Sequence, residues 1–149
     1  MKIILATDHA GFELKEAVKK MLIDDLHMEV EDCGAFTLDP ADDYPDFIFP
    51  AAKKVAENPG NCLGIIFGGS GQGEAICANR VKGIRAAVYY GGSLNLVRLS
   101  RQHNDSNILS MGARFLDFDQ AMAAVTIWLD TIFEGGRHKK RIEKLDSLR

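Results

Sequence analysis

The chain has 149 residues, of which 46% are hydrophobic, so we expect a single domain over residues 1–149 with a proper core. Its formal net charge of -3 argues against general nucleic-acid binding, because no overall positive field would attract a polyanion. No apolar run is long enough to cross a bilayer, and the opening run is too short for a signal peptide, so no membrane association is expected.

The first half of the chain alternates strand and helix patterns. A strand is predicted over residues 2–6, and apolar residues at helical spacing from Leu14 to Leu22 predict a helix after it. Residues 28–33 alternate apolar and polar side chains, which is typical of a strand near a sheet edge. Phe47 to Val55 mark a second helix, with Pro50 expected near its first turn, where a missing N–H is tolerated.

The second half continues this alternation. Strands are predicted over residues 63–67, 84–89 and 107–111, each followed by a helix. The long helix after the last strand has an apolar stripe made by Ala121, Ala124, Val125, Trp128, Leu129 and Ile132. Such frequent alternation predicts an α/β fold with a five-stranded parallel sheet and helices on both faces. Ligands bind such sheets beyond the carboxyl ends of the strands.

A final basic helix is predicted over about residues 136–149. Its apolar stripe is thin and contains only Ile142, Leu145 and Leu148, so we expect this helix to pack on a second copy of the chain. Arg137 and Arg141 stand four residues apart and share a helix face, where they can grip one phosphate. The alternative is a solvated basic face, because the segment also carries His138, Lys139, Lys140 and Lys144.

The three cysteines are Cys33, Cys62 and Cys77. An odd number without a CxxC pair disfavours a disulfide framework and a zinc knuckle, so no metal site is predicted and a reducing cytoplasm is the expected location. Cys77 lies three residues after Glu74 but has no basic neighbour in the sequence. We therefore expect it to pack as a small apolar group rather than to act as a nucleophile.

A glycine-rich loop, residues 68–73, follows the third predicted strand and leads into a helix pattern that begins at Glu74. Glycines let successive N–H groups turn toward one point, where they hold a phosphate or an enolate oxygen. A carboxylate at that point does not help phosphate binding, but a proton-abstracting enzyme needs one beside its oxyanion site. The loop favours catalysis; the alternative is an ordinary first-turn glutamate stabilised by the helix dipole.

Polar side chains lie next to three of the predicted strands. They are Thr7, Asp8 and His9 after the first, Ser70 and Glu74 after the third, His103 and Asn104 before the fifth, and Arg114 after it. Each alone is typical of a capping or surface residue. Because four such groups are expected to gather at one edge of one sheet, together they favour a functional site.

Two nucleotide motifs are excluded. The glycine spacing does not fit GxGxxG, and the next strand ends in Tyr89-Tyr90-Gly91-Gly92 without an acidic residue for a ribose hydroxyl, so no NAD site is predicted. The lysine of a Walker loop is also missing.

Seven segments carry a resemblance over essentially the whole chain. They are Asp8–Gly11, Asp43–Asp46, the glycine loop with Ala78-Asn79, Gly83–Ala86, Ser100–Asn104, Gly112–Arg114 and Glu134–His138. In this combination the chain resembles the ribose-5-phosphate isomerase B family, which includes the subunits of galactose-6-phosphate isomerase. The resemblance implies a Rossmann-like three-layer α/β/α sandwich and a homodimer, sometimes a tetramer, with active sites at the subunit interface. It also implies aldose–ketose isomerisation without a cofactor.

The resemblance further implies a role for individual residues. His103 from a partner subunit would open the sugar ring, with Asp8 assisting at the ring oxygen. The groups that stabilise the enediolate would be Ser70 and the amides of Gly69, Gly71 and Gly73. The groups that hold the phosphate would be His9, Arg137, Arg141 and the partner's Arg114, and Asn104 would bind a sugar hydroxyl.

One position separates two branches of this family. The best-known branch has a catalytic cysteine where this chain has Gly68, whereas another has glycine there and a glutamate where Glu74 stands; this chain resembles the second. Moving a proton between C1 and C2 of an open-chain aldose needs one base beside an oxyanion site, and Glu74 can serve both steps. Desolvation would raise the pKa of Glu74, whereas nearby amides and a helix N-terminus would lower it.

The sequence therefore predicts a sugar-phosphate aldose–ketose isomerase with Glu74 as the base and ribose 5-phosphate as the default substrate. A four- or six-carbon sugar phosphate is the alternative substrate, and residues 35–45 and 89–93 are expected to discriminate between them. An alternative of another class is a flavodoxin-like module that binds a phosphate or nucleotide without turnover.

Overall fold

The computed structural model of the protein describes residues 1–148. Within these residues the strands are β1 (Lys2–Thr7), β2 (Glu29–Asp32), β3 (Cys62–Gly68), β4 (Ala86–Tyr89) and β5 (Ile108–Gly112). The helices over the same residues are α1 (Phe12–Asp24), α2 (Pro45–Glu57), α3 (Gln72–Ala78), α4 (Leu94–Gln102), α5 (Phe118–Asp130) and α6 (Gly136–Ser147). The strands form one parallel sheet in the order β2-β1-β3-β5-β4, and β2 lies at an edge, as predicted.

The sheet is covered on both faces. Successive residues of a strand point to opposite faces, and in β1 the side chains of Ile3 and Leu5 pack with α1, α4 and α5, whereas those of Ile4 and Ala6 pack with α2 and α3. Strands that are buried on both faces consist almost entirely of apolar residues, and β3 and β5 follow this pattern. The predicted three-layer α/β/α sandwich with a five-stranded parallel sheet is confirmed for the described part of the chain.

The connections open a crevice at the carboxyl edge of the sheet. β1 and β3 are neighbours, but the helix after β1 packs on one face of the sheet and the helix after β3 packs on the other. The chain therefore diverges above this pair of strands, which is where ligands bind in open parallel sheets. The residues that follow β1 and β3 line this crevice.

Two details of the predicted helices are wrong. α2 begins at Pro45, so the proline in its first turn is Pro45, and Pro50 lies inside the helix. A proline at the first helical position loses no intrahelical hydrogen bond, which explains this start. Ile132 was expected in the stripe of the long helix, but α5 ends at Asp130 and Ile132 is 82% exposed.

Helix α6 lies at the amino edge of the sheet. It packs on the chain through His138 and Ile142, the buried residues of its described length, and Asp146 pairs with Arg85 at 3.4 Å. A cavity of about 950 Å³ opens between its last turn and residues 79–87. The apolar side chains of Leu145 and Leu148 remain exposed, as the thin stripe predicted. The position of residue 149, the predicted end of this helix, lies outside the described residues.

Candidate active site

Asp8 and Glu74 meet in the crevice between β1 and β3. Asp8 follows β1 directly and is only 7% exposed; its carboxylate accepts a hydrogen bond from the N–H of Ala10 at 2.9 Å, which caps a short 3₁₀ turn. Glu74 lies in the first turn of α3 and is only 4% exposed. Both carboxylates are therefore largely removed from solvent at the carboxyl edge of the sheet.

The carboxyl group of Glu74 occupies the space beside Gly68. A Cβ atom at position 68 would clash with the carboxyl atoms of Glu74. A side chain at position 68 and the Glu74 carboxylate therefore cannot occupy this space together. Burial raises the pKa of Glu74; a hydrogen bond from its own backbone N–H opposes this, and the negative charge of Asp8 adds to it. Of the opposing effects that the sequence left open, desolvation therefore dominates.

The glycine loop is fixed by the chain that follows β5. The carbonyls of Gly68 and Gly69 accept hydrogen bonds from the N–H groups of Ala113 at 2.8 Å and Arg114 at 3.1 Å. Gly71 has a left-handed backbone with φ of 76°, which a residue with a side chain rarely adopts, and α3 starts directly after it. These constraints hold the loop in one conformation above β3.

The loop carries backbone N–H groups that have no hydrogen-bond partner within residues 1–148. Within residues 1–148, the N–H groups of Gly69, Ser70 and Gly71 have no acceptor, and the Ser70 hydroxyl accepts only a long hydrogen bond, of 3.3 Å, from Gln72. Gly73 follows in the first turn of α3 beside Glu74. Unpaired N–H groups that converge on one point are suited to an oxyanion or a phosphate oxygen.

His9 is held by Asp42, a residue that the sequence did not single out. The backbone N–H of His9 donates to Asp42 Oδ1 at 3.0 Å, and His9 Nδ1 lies 2.7 Å from the same oxygen. This hydrogen bond raises the pKa of His9. The sequence did contain a signal for a partner of His9, namely the acidic segment after β2, because β2 ends at the same sheet edge as β1. The sequence alone did not show which aspartate of this segment turns toward His9.

Arg114 lies in the same crevice as His9. A Cβ on Gly69 would come within 3.3 Å of the Arg114 Nη1 atom, and the positive charge of Arg114 opposes the rise in the pKa of His9. The resemblance assigned the arginine at this site to the partner subunit, but the Arg114 of the same chain already lies beside the loop. Arg114 of the described chain lies there because it directly follows Ala113, whose N–H donates to the carbonyl of Gly68, and the role of the partner's Arg114 stays a prediction.

The remaining predicted residues lie at the opposite edge of the sheet. His103 and Asn104 follow α4, which returns antiparallel to the strands, and they precede β5. The five residues of β5 separate the two edges by about 16 Å. The expectation that all these polar groups gather at one edge of one sheet is therefore wrong within a single chain.

The amino-edge residues form a cluster of their own. The rings of His103 and His138 stack in parallel, with centroids 4.2 Å apart. Burial lowers the pKa of His138, and the charges of His103, Arg137 and Arg141 lower it further, so both arginines of α6 belong to this edge. Asn104 lines the cavity beneath α6. The described residues thus form two separate clusters, one at each edge.

Known proteins of the same fold and of similar sequence match this chain over nearly its whole length. The family model described as Ribose/Galactose Isomerase matches residues 3–145. A probable ribose-5-phosphate isomerase B from Mycoplasma pneumoniae is 42% identical over 143 residues, which cover 96% of this chain and 91% of that protein. These matches agree with the motifs found in the sequence.

Two solved structures share the architecture. Ribose-5-phosphate isomerase B from Mycoplasma genitalium, crystallised with bound ribulose 5-phosphate, superposes with a TM-score of 0.92 at 39% identity and covers 97% of this chain and 93% of its own. The Clostridium thermocellum ribose-5-phosphate isomerase B gives a TM-score of 0.90 at 41% identity, with 98% and 95% covered. Because the family model, a relative at 42% identity and a solved structure with a TM-score of 0.92 all match it over nearly the full length, the chain belongs to the Ribose/Galactose Isomerase family.

Proposed function

We propose that this protein interconverts ribose 5-phosphate and ribulose 5-phosphate, with Glu74 as the base. The observation that carries the proposal is a buried carboxylate of raised pKa beside a loop of unpaired N–H groups. A relative that bears the name ribose-5-phosphate isomerase B and a related structure with bound ribulose 5-phosphate support this substrate. A module that only binds a phosphate has no need for such a carboxylate.

The chemistry needs one base and one oxyanion site. Glu74 takes the proton from C2 of the open-chain aldose; the electron pair of the broken C–H bond forms the C1=C2 double bond, and the carbonyl π pair moves onto O1 to give a cis-enediolate. The amides of Gly69, Gly71 and Gly73 and the hydroxyl of Ser70 stabilise the new negative charge. The protonated Glu74 then returns its proton to C1 while the hydroxyl proton on O2 passes to O1, so that C2 becomes the carbonyl carbon of the ketose. A raised pKa makes the ionised carboxylate a stronger base for the first step.

His9 and Arg114 bind the substrate phosphate from the same crevice. Asp42 holds His9 through Nδ1, which leaves the other ring nitrogen to donate to a phosphate oxygen. Because this pairing raises the pKa of His9, the imidazole carries a positive charge over a wider pH range. Arg114 adds a second cation beside the glycine loop.

A homodimer completes the site. The half-site with His103, Asn104, Arg137 and Arg141 lies at the amino edge, about 16 Å from Glu74 along β5, so one chain does not bring them together. A two-fold axis that places the amino edge of one subunit against the carboxyl edge of the other makes two complete sites. His103 of one chain then opens the sugar ring together with Asp8 of the other. The exposed apolar side chains of α6 favour such packing.

The first prediction concerns turnover. The protein should form ketose from ribose 5-phosphate and exchange the C2 hydrogen with solvent deuterium, and Glu74→Gln should lower kcat by about 10²–10⁴-fold, because general bases contribute that much. Both are measured by NMR in D₂O, and a panel of four-, five- and six-carbon aldose phosphates tests the preferred chain length. Glu74→Gln should retain phosphate-dependent binding.

The stability of Glu74→Gln provides the control. The folded-state pKa of Glu74 is raised, so the contribution of this group to folding is most favourable below the unfolded-state pKa and is lost as the pH rises through the folded-state value. At neutral pH the variant should therefore unfold at a temperature no lower than that of the native protein. Unchanged turnover in a folded Glu74→Gln protein would refute the assignment of the base.

A second prediction concerns the ionisation of Glu74. Its side-chain ¹³Cδ signal, assigned by its absence in Glu74→Gln, should titrate above the ordinary pKa of glutamate, because the group is buried. Asp8→Asn should move the midpoint to lower pH, since the charge of Asp8 contributes to the raised pKa. A titration at or below the ordinary glutamate pKa would contradict the geometry described for this carboxylate.

A third prediction concerns Gly68. Gly68→Ala should destabilise the fold by about 1–3 kcal/mol and remove most activity, because the added methyl group displaces the Glu74 carboxylate. In a Glu74→Ala background the same substitution should be much less destabilising, which gives a coupling energy of about 0.5–3 kcal/mol. Urea unfolding of the four proteins measures this cycle. Additive effects would show that the two positions do not compete for space.

A fourth prediction tests the shared site. Glu74→Gln and His103→Asn homodimers should each be nearly inactive. Refolding the two variants together should restore about a quarter of native activity, because half of the dimers are mixed and each mixed dimer has one of its two sites intact. The matched control is Glu74→Gln mixed with Asp8→Asn, which lie at the same edge and should restore nothing. Restoration in both mixtures, or in neither, would rule out the proposed dimer.

A further inference from the structure

Two imidazoles and a carboxylate converge at the amino edge of the sheet. The Nε2 atoms of His103 and His138 lie 3.8 Å and 3.7 Å from the same oxygen of Glu134, Oε2. All three candidate ligand atoms lie within 4.8 Å of one another. In a tetrahedral zinc site with bonds of 2.0–2.1 Å, neighbouring ligand atoms are about 3.3 Å apart. The cluster therefore needs to contract by only a few tenths of an ångström at each carboxylate–imidazole pair.

The backbone holds these residues close together. The N–H of Glu134 donates to the carbonyl of Gln102 at 3.0 Å, which ties Glu134 to the end of α4 next to His103. Gly135 and Gly136 both have positive φ, of 68° and 53°, and this turn starts α6 so that His138 returns over Glu134. Positive φ at two consecutive residues strongly favours glycine. The proximity of the three side chains is thus built into the fold.

The two histidines are available as ligands. Within residues 1–148 neither ring makes a side-chain hydrogen bond, and His138 is buried. A neutral imidazole whose ring nitrogen has no hydrogen-bond partner is the form of histidine that binds a metal ion. Glu134 is half-exposed, so an ion can reach the cluster from solvent.

Two features of the cluster oppose a bound cation. The rings of His103 and His138 stack with an angle of 9°, so their lone pairs run side by side rather than toward one point. The His103 ring has to tilt out of this stack, and its partial exposure allows that movement. Arg137 and Arg141 add positive charge, which the carboxylate of Glu134 partly offsets.

We propose that His103, Glu134 and His138 form a binding site for a divalent transition-metal ion of the zinc class, and that the bound ion inhibits the enzyme. Two imidazoles, one carboxylate and a water molecule complete the tetrahedral set that Zn²⁺ prefers. The inhibition rests on the proposed function, because an imidazole nitrogen that donates its lone pair to a metal no longer exchanges a proton with the sugar ring oxygen. The ion is an inhibitor here and takes no part in the isomerisation.

A second group of potential ligands, Asp8, His9 and Asp42, also lies within 4.8 Å. In that group His9 Nδ1 and Asp42 Oδ1 already share a hydrogen bond of 2.7 Å, so a metal would have to break it. The amino-edge cluster has no such bond to lose. The His9 cluster therefore serves as the internal comparison, and Asp42→Asn is its diagnostic variant.

Metal binding is tested first, with Co²⁺ as a spectroscopic probe and Zn²⁺ as its competitor. The native protein should bind one Co²⁺ per chain with the intense visible bands of a four-coordinate ion, and Zn²⁺ should displace it. Glu134→Gln and His138→Asn should each weaken binding by at least about tenfold, whereas Asp42→Asn should leave the bands unchanged. Glu134→Gln alters a half-exposed side chain, so it provides a folded variant even if His138→Asn is unstable.

Inhibition is tested second, with ribose 5-phosphate turnover of each protein scaled to its own metal-free rate. Zn²⁺ should inhibit the native protein, a chelator should restore activity, and Glu134→Gln should need at least about tenfold more Zn²⁺ for half inhibition. The site is overturned if the protein does not bind Co²⁺ stoichiometrically, or if only Asp42→Asn disturbs the binding. The inhibitory role is overturned if the metal binds without inhibiting turnover. Because the Co²⁺ experiment needs no turnover, failure of the proposed isomerisation remains distinguishable from failure of the metal site.

Discussion

The space beside Gly68 is the constraint on which the candidate site depends. The carboxyl group of Glu74 fills the volume that a side chain at position 68 would need, so the absence of a Cβ in one residue fixes the position of the other. That position is buried, which raises the pKa of the carboxylate, and it lies next to the unpaired amides of the loop. The proposed base and the proposed oxyanion site thus arise from a single local arrangement of β3, the loop and α3.

The direction of the strands explains why this arrangement is only half of the proposed site. In a parallel sheet each helix carries the chain back to the amino edge, so residues at the end of α4 lie far from residues at the end of β3. His103 and Glu74 therefore lie at opposite edges of one subunit. A two-fold dimer is the simplest closed arrangement that joins the two edges, and it makes two equivalent sites at once. In this proposal the oligomer is part of the catalytic apparatus.

The amino-edge cluster gives His103 two competing roles in our proposals. In the dimer it exchanges a proton at the sugar ring, and beside Glu134 and His138 it is a ligand for a metal ion. A ring that is tilted toward a bound metal ion is not free to reach the sugar, so in these proposals the two roles exclude each other. The His103 ring is partly exposed to solvent, which leaves room for the change of partner.

Much of the fold was accessible from the sequence, because apolar periodicity reports local burial directly. The alternation of strands and helices, the edge position of residues 28–33 and the strand–loop–helix order around the glycine loop depend on neighbouring residues in the chain. The family was also accessible, since its motifs are short and contiguous. The errors at Pro50 and Ile132 fall at helix ends, where a few residues do not define a period.

Only the tertiary structure decided how segments that are distant in the sequence lie relative to one another. The pairing of His9 with Asp42 spans 33 positions, and nothing in an acidic loop shows which aspartate turns inward. The placement of Arg114 beside Gly69 and the separation of His103 from Glu74 follow from strand order and helix direction. The pKa of Glu74 depended on burial, which periodicity does not measure. Sequence determined which chemical groups the protein has, and packing decided which of them meet.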